Sequence, residues 1–326
     1  MGTLLHHPSA AKAAGAEGDD PHLGLHSLPP VVNPAHEAGR AAQRSWRRVP
    51  VSERLRIVRR LRRLVASSPD HLVAAVRGTG PRSAAEVFVS ELLPMAEACR
   101  FLEREARALL APRYLGGEGR PLWLGPFETE IHREPLGLVL IVAPAGHPLF
   151  LPGVQAIQAL VAGNAVLWLP GPGGGGAARV LATLAREAGL PSGLMQILDE
   201  SPEAERTAIA GGVDRVLFSD DDLIVANADP RVPVAVRRES SFGVIGGAEG
   251  LLALTVPKVI QTRPGWTLPP LAPPHPRDAL LFRAVLALLH GGGPFTRLRA
   301  VGDLFRALAG RGAPPRPGRT GALAGE

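Results

Sequence analysis

Gly171, Gly173 and Gly176 stand at the spacing of a dinucleotide-binding turn, within the run Gly171-Pro172-Gly173-Gly174-Gly175-Gly176. An apolar segment that reads as a strand precedes them and a helical one follows. In that setting backbone N–H groups and a helix N-terminus receive a pyrophosphate. Asp199 and Glu200 end the next strand-like segment, about where such folds place a carboxylate for a ribose hydroxyl. Composition offers a second origin for the spacing, because four glycines in succession, in a chain with 38, satisfy many patterns. Pro172 also intrudes on the tight turn. Other reactive types are sparse. Cys99, the single cysteine, lies near Met95, Ala98 and Phe101 on a helical segment and reads as a buried small hydrophobe. His147 stands in a loop without an evident carboxylate partner. Glu239 beside Arg237 and Arg238 reads as part of a solvated ion cluster. Ser240 and Ser241 have no histidine and acid in a hydrolase order.

The elements that must position these residues follow from periodicity. Residues 1–35 show none and read as a disordered leader. From 36 to 110 apolar residues recur at helical spacing. Within 44–66, Leu55, Val58, Leu61, Leu64 and Val65 form one stripe, and Arg54, Arg56, Arg59, Arg60, Arg62 and Arg63 take the other faces. No aromatic residues interleave with those arginines, so the stretch reads as a solvated helix face and not as a nucleic-acid surface. After 120, extended segments lead to the wholly apolar GLVLIVAP, then a helix, NAVLWLP, the glycine run, a helix, LMQILDE, a helix and VDRVLF. Alternating apolar strands and helices predict a parallel, doubly wound sheet. Beyond Phe218 the alternation stops, leaving one short strand, a glycine-punctuated loop and a short helix through about 263. A proline-rich linker, an amphipathic stretch and a disordered tail occupy 264–326.

At 326 residues and 45% hydrophobic content the chain can bury a large core. One cysteine excludes an intrachain disulfide and a cysteine zinc site, and suits the cytoplasm. The formal charge is +6, almost all of the basic residues being arginine, with Lys12 and Lys258 the only lysines. No apolar run approaches the roughly 20 residues of a membrane span, so neither a membrane nor a nucleic acid is an expected partner.

Residues 131–218, from IHREPLGLVLIVAPAGHPLFLPGVQAIQALVAGNAVLWLPG through LAREAGLPSGLMQIL to GGVDRVLF, resemble the cofactor domain of the aldehyde dehydrogenase superfamily. The helical region 36–110 is similar to that family's N-terminal helices, and 220–263 resembles the segment that ends its chains, with SSFG as the loop. The resemblance implies an α/β fold: N-terminal helices with a partial Rossmann-like parallel sheet over 36–219, then a short strand and loop block. It implies NAD or NADP as cofactor, with Val142, Ala143, Pro144, Ala145, Leu169, Gly171, Gly173 and Gly176 along the cofactor edge.

The same resemblance implies lost chemistry. The family places its nucleophilic cysteine and a Glu-Leu-Gly-Gly glutamate between the two matching blocks, and that interval is missing near Ser219. Its Pro-Trp-Asn-Phe-Pro run supplies an oxyanion-hole amide, where this chain has Pro144-Ala145-Gly146-His147-Pro148 with Gly146 in the asparagine position. Its ribose-binding lysine falls at Leu169, and Gly171, Pro172 and Gly173 replace the acid that follows. The expected protein is a catalytically defective member of the family. Alternatives are a structural partner of a full-length relative, as homo- or hetero-oligomer through added strands, a residual dinucleotide-binding module, or a remnant of a decaying gene.

Overall fold

The computed structural model describes residues 34–120, 128–218, 229–238, 241–262 and 278–309. In chain order the elements are α1 (Pro34–Trp46), α2 (Val51–Ser67), α3 (Pro69–Arg77), α4 (Ala84–Val87), a π-helical turn (Phe88–Leu92), α5 (Leu93–Leu109), β1 (Arg113–Leu115) and β2 (Glu128–Pro135). Then come β3 (Leu138–Val142), α6 (Phe150–Ala162), β4 (Ala165–Leu169), α7 (Gly175–Glu187), β5 (Met195–Ile197), α8 (Pro202–Ala210) and β6 (Arg215–Phe218). The remainder is β7 (Val234–Arg238), β8 (Ser241–Ile245), α9 (Gly247–Leu252), β9 (Thr255–Thr262), α10 (Ala279–His290) and α11 (Pro294–Ala309). The chain divides into two compact units, residues 1–262 and 263–326. None of the described helices is long and apolar enough to cross a membrane.

The alternating segments form a parallel four-stranded sheet in the order β5-β4-β3-β6. Leu138, Val139, Leu140 and Ile141 on β3 and Val166, Leu167 and Trp168 on β4 are fully buried, which is why both strands are apolar at every position. Each such side chain contributes roughly 1.5–3 kcal/mol on leaving water. Asp214 fixes the start of β3, accepting from Leu138 N at 2.7 Å and from Arg40 Nη1 of α1 at 2.9 Å. Asn164, fully buried, accepts from Gly137 N at 2.8 Å and donates to Leu254 O at 3.0 Å.

That last bond ties the segment beyond Phe218 to the sheet. The segment departs from the expected single strand, since β7 and β8 form an antiparallel hairpin and β9 is a third strand. β9 pairs along its whole length with β2, from Glu128↔Thr262 to Pro135↔Thr255. Strand character there comes from a partner more than a hundred residues away, and local alternation does not reveal it.

All of α6 is buried, so the unpaired backbone groups at its ends need partners inside the protein. At its C-terminus three carbonyls are met by side chains. Trp46 Nε1 donates to Leu160 O at 2.8 Å, Arg54 Nη1 to Val161 O at 2.8 Å, and Gln43 Nε2 to Gly163 O at 3.2 Å. Arg54 thus leaves the solvated face expected of it and is buried, its guanidinium 5.8 Å from the Trp46 ring centroid. Burial pushes its pKa down to about 10, still far above neutrality. Arg56, Arg59, Arg60 and Arg63 are exposed as expected, and Arg59 and Arg62 pair with Glu103.

Candidate functional site

Open parallel sheets bind ligands beyond the carboxyl ends of their strands, and here the segments 143–149 after β3, 170–174 after β4 and 78–83 after α3 come together. Gly171 is required by this convergence. A Cβ on it would lie 2.5 Å from Pro144 O and 2.8 Å from Ala143 O, and Ala143 N itself bonds to Leu169 O at 2.9 Å. Pro172 does not disturb the turn. Gly174 N donates to Gly171 O at 2.8 Å and Gly173 has φ +76°, a type II arrangement that favours proline second and needs glycine third. Gly176 has open space where a side chain would project.

The N–H groups that would face a phosphate already have an anion. Gly173 N donates to Glu200 Oε2 at 2.6 Å and Gly175 N to Glu200 Oε1 at 2.7 Å. A carboxylate here is favoured by the positive end of α7. Glu200 therefore caps α7 and is not held out toward a ribose; Asp199 is exposed. Leu169 is buried at the end of β4 and offers no polar atom.

A second cluster, built around Glu91, escaped the sequence reading. Glu91 sits in the π turn, is fully buried, and accepts from Phe150 N at 2.6 Å and Leu149 N at 3.2 Å, so it caps the N-terminus of α6. Its other oxygen accepts from Arg82 Nη1 at 2.9 Å, and the same nitrogen donates to Gly146 O at 3.1 Å. Arg82 Nη2 reaches Thr79 Oγ1 at 3.0 Å. His147 thus has the carboxylate partner that its sequence neighbours did not show. Its buried Nδ1 lies 3.5 Å from Glu91 Oε1 without an aligned hydrogen bond, while a quarter of the side chain is exposed. π turns frequently mark such sites. The sequence signal was an acid in the apolar register of a helix, since Glu91 falls four residues from both Val87 and Met95, which are buried.

Cys99 is remote from hydrogen-bonding solvent, 2% exposed within α5. Burial pushes its thiol up to about 12. Glu239 and Ser240 lie outside the described residues, and Ser241 opens β8. What the cluster offers chemically is a charge-balanced carboxylate and an imidazole beside two glycine-lined loops. It has no thiol and no amide at Gly146.

Residues 29–218 match the model of the aldehyde dehydrogenase family. The match ends at Phe218, beside the junction read at Ser219. A protein of Mycolicibacterium smegmatis named succinate-semialdehyde dehydrogenase (NADP+) is 35% identical over 190 residues, 58% of this chain and 35% of that protein. A Mycobacterium ulcerans protein named succinate-semialdehyde dehydrogenase (NADP+) 2 is 31% identical over 226 residues, 69% of this chain and 42% of its own. The chain therefore spans only 35–42% of the length of these curated relatives. Among solved structures, methylmalonate-semialdehyde dehydrogenase from Oceanimonas doudoroffii matches 56% of this chain and 41% of its own at TM-score 0.50 and 22% identity. An indole-3-acetaldehyde dehydrogenase complexed with NAD+ matches 56% and 37% at TM-score 0.50 and 24% identity. At these identities the likeness speaks for the fold alone.

Proposed function

The chain belongs to the aldehyde dehydrogenase family, and from that premise we propose that it is a member without the family's thiol chemistry. Its α/β fold and parallel sheet are the family's. The observation that carries the proposal is the state of its only cysteine: Cys99 is buried in α5 with its thiol pushed up to about 12. The thiolate is the attacking form, and at neutral pH this residue does not supply it. Gly146, with no side-chain donor, and Leu169, with no cation, support the same reading. The Glu200 carboxylate at the N-terminus of α7 speaks against a residual dinucleotide site there.

The expected result is no NAD+ or NADP+ reduction above the blank when the purified chain meets succinate semialdehyde or acetaldehyde, followed by nicotinamide absorbance. NADP+ is the first cofactor to try, because the relatives' names carry it. Turnover at an ordinary enzymatic rate, of order 1 per second or more, would defeat the proposal.

A second reading, a structural partner of a full-length relative, is favoured by β9. Among the described residues this strand pairs only with β2, and Val256, Val259 and Ile260 on it are exposed. A long free edge of this kind accepts added strands. Co-expression with an intact family member should give a shared peak in size-exclusion chromatography. Separate elution of the two chains ends this reading.

A further inference from the structure

Residues 278–309 form an antiparallel helical hairpin, α10 and α11, turned by Gly291, Gly292 and Gly293, the last at φ +86°. Its interior is thin. Ala284 and Ala300 are its only buried apolar residues, whereas Phe282, Leu286 and Leu289 on α10 and Leu298, Phe305 and Leu308 on α11 are 37–71% exposed. Chains below about 40 residues rarely hold a fold without a disulfide, a metal or an oligomer. The hairpin has no cysteine.

Six of the hairpin's eight exposed large apolar residues are ordered; Leu280 lines the groove instead, and Phe295 falls in neither row. Phe282, Leu286 and Leu289 are spaced four and three apart, and Leu298, Phe305 and Leu308 seven and three apart. That is the seam of a helix that packs against other helices. The charge is segregated from the seam. Arg283, Arg299, Asp303 and Arg306 line the groove between the helices, and none of the six seam residues does. Arg297, near the turn, is engaged by Gly291 O at 3.3 Å.

We propose that this apolar face binds the same face of a second copy of the chain, closing two hairpins into a four-helix bundle. A two-fold axis would lay α10 of one copy along α11 of the other, so that each seam meets one of similar length. Arg283, Arg299 and Arg306 lie on the groove side, so these like charges do not confront one another across the contact. Six side chains so exposed offer on the order of 600 Å² per copy, against roughly 800 Å² per partner in an ordinary specific interface.

Sedimentation equilibrium of the full chain tests this. The expected mass is twice the 34.2 kDa of one chain. Leu286→Asp combined with Phe305→Asp is expected to give monomers at the same concentration, and the milder Phe305→Ala to weaken the dimer at least tenfold. Arg299→Ala, on the groove side, leaves it intact. Far-UV circular dichroism checks that each variant stays helical. A monomeric parent chain overturns the proposal, as does a dimer constant unmoved by Phe305→Ala. Capture of monomeric chain by phosphatidylserine vesicles through these residues also overturns it. The readout is mass, so it stands or falls apart from aldehyde turnover.

Discussion

Glu91→Ala is expected to destabilise the 1–262 unit by about 3–5 kcal/mol, the scale on which removing one partner of a buried charge pair acts. Glu91 is fully buried, and its two oxygens serve four groups: Arg82, the N–H groups of Leu149 and Phe150, and the Nδ1 side of His147. Alanine leaves the guanidinium, only 21% exposed, without its counter-charge, and leaves the first turn of a wholly buried helix without acceptors. Glu91→Gln retains an acceptor and the side-chain volume, so it should cost less, about 1.5–3 kcal/mol, as for a hydrogen bond that loses its charge. Urea unfolding followed by tryptophan fluorescence measures both. An alanine variant within 1 kcal/mol of the parent, or a glutamine variant costing more than alanine, would show that the carboxylate does not hold the two ends of this contact together.

The parallel sheet was legible because burial on both faces forces a pattern of its own. Leu138 to Ile141 and Ala165 to Leu169 have no polar position, and no solvated strand or surface helix looks like that. The three strands after Phe218 were less legible. β9 carries Pro257 and Lys258 among Val256, Val259 and Ile260, a mixture that suits a strand only once β2 supplies its ladder. Pairing across such a distance is a tertiary fact that a local window does not contain.

At the candidate site, glycine spacing drew attention to a loop whose glycines also have local structural causes. Gly171 is demanded by the Pro144 and Ala143 carbonyls and Gly173 by its φ of +76°. Pro172, taken as an intruder, suits the turn those glycines make. Glu200 was noticed as a carboxylate at the right distance, but its target, the start of α7, is set by how β5 lies beside β4. Glu91 and Arg54 were visible in a different sense. Each interrupts an apolar helical register, Glu91 between Val87 and Met95, Arg54 four residues before Val58. A charge in such a register is costly unless another element meets it. α6 is that element for both.

Arg54 is the test at the other end. Arg54→Ala is expected to cost about 3–4 kcal/mol, combining a core cavity with unpaired acceptors. Arg54 is buried and lines the same small cavity as Trp46, Val58, Leu61, Ile157 and Leu160, and the guanidinium serves Val161 O at 2.8 Å and Arg47 O at 3.0 Å. Opposing this, burial lowers its pKa from 12.5 to about 10, a desolvation cost that any neutral replacement recovers. Arg54→Met separates the two contributions. Methionine refills the stem's space and removes the charge, so the loss that remains belongs to the carbonyls at the end of α6. If that loss is near 2 kcal/mol, the cation is needed where the helix dipole is negative. If methionine is as stable as the parent, the bonds to the carbonyls do no more than offset the desolvation of the charge, and the idea that buried charges hold both ends of α6 is wrong at this end.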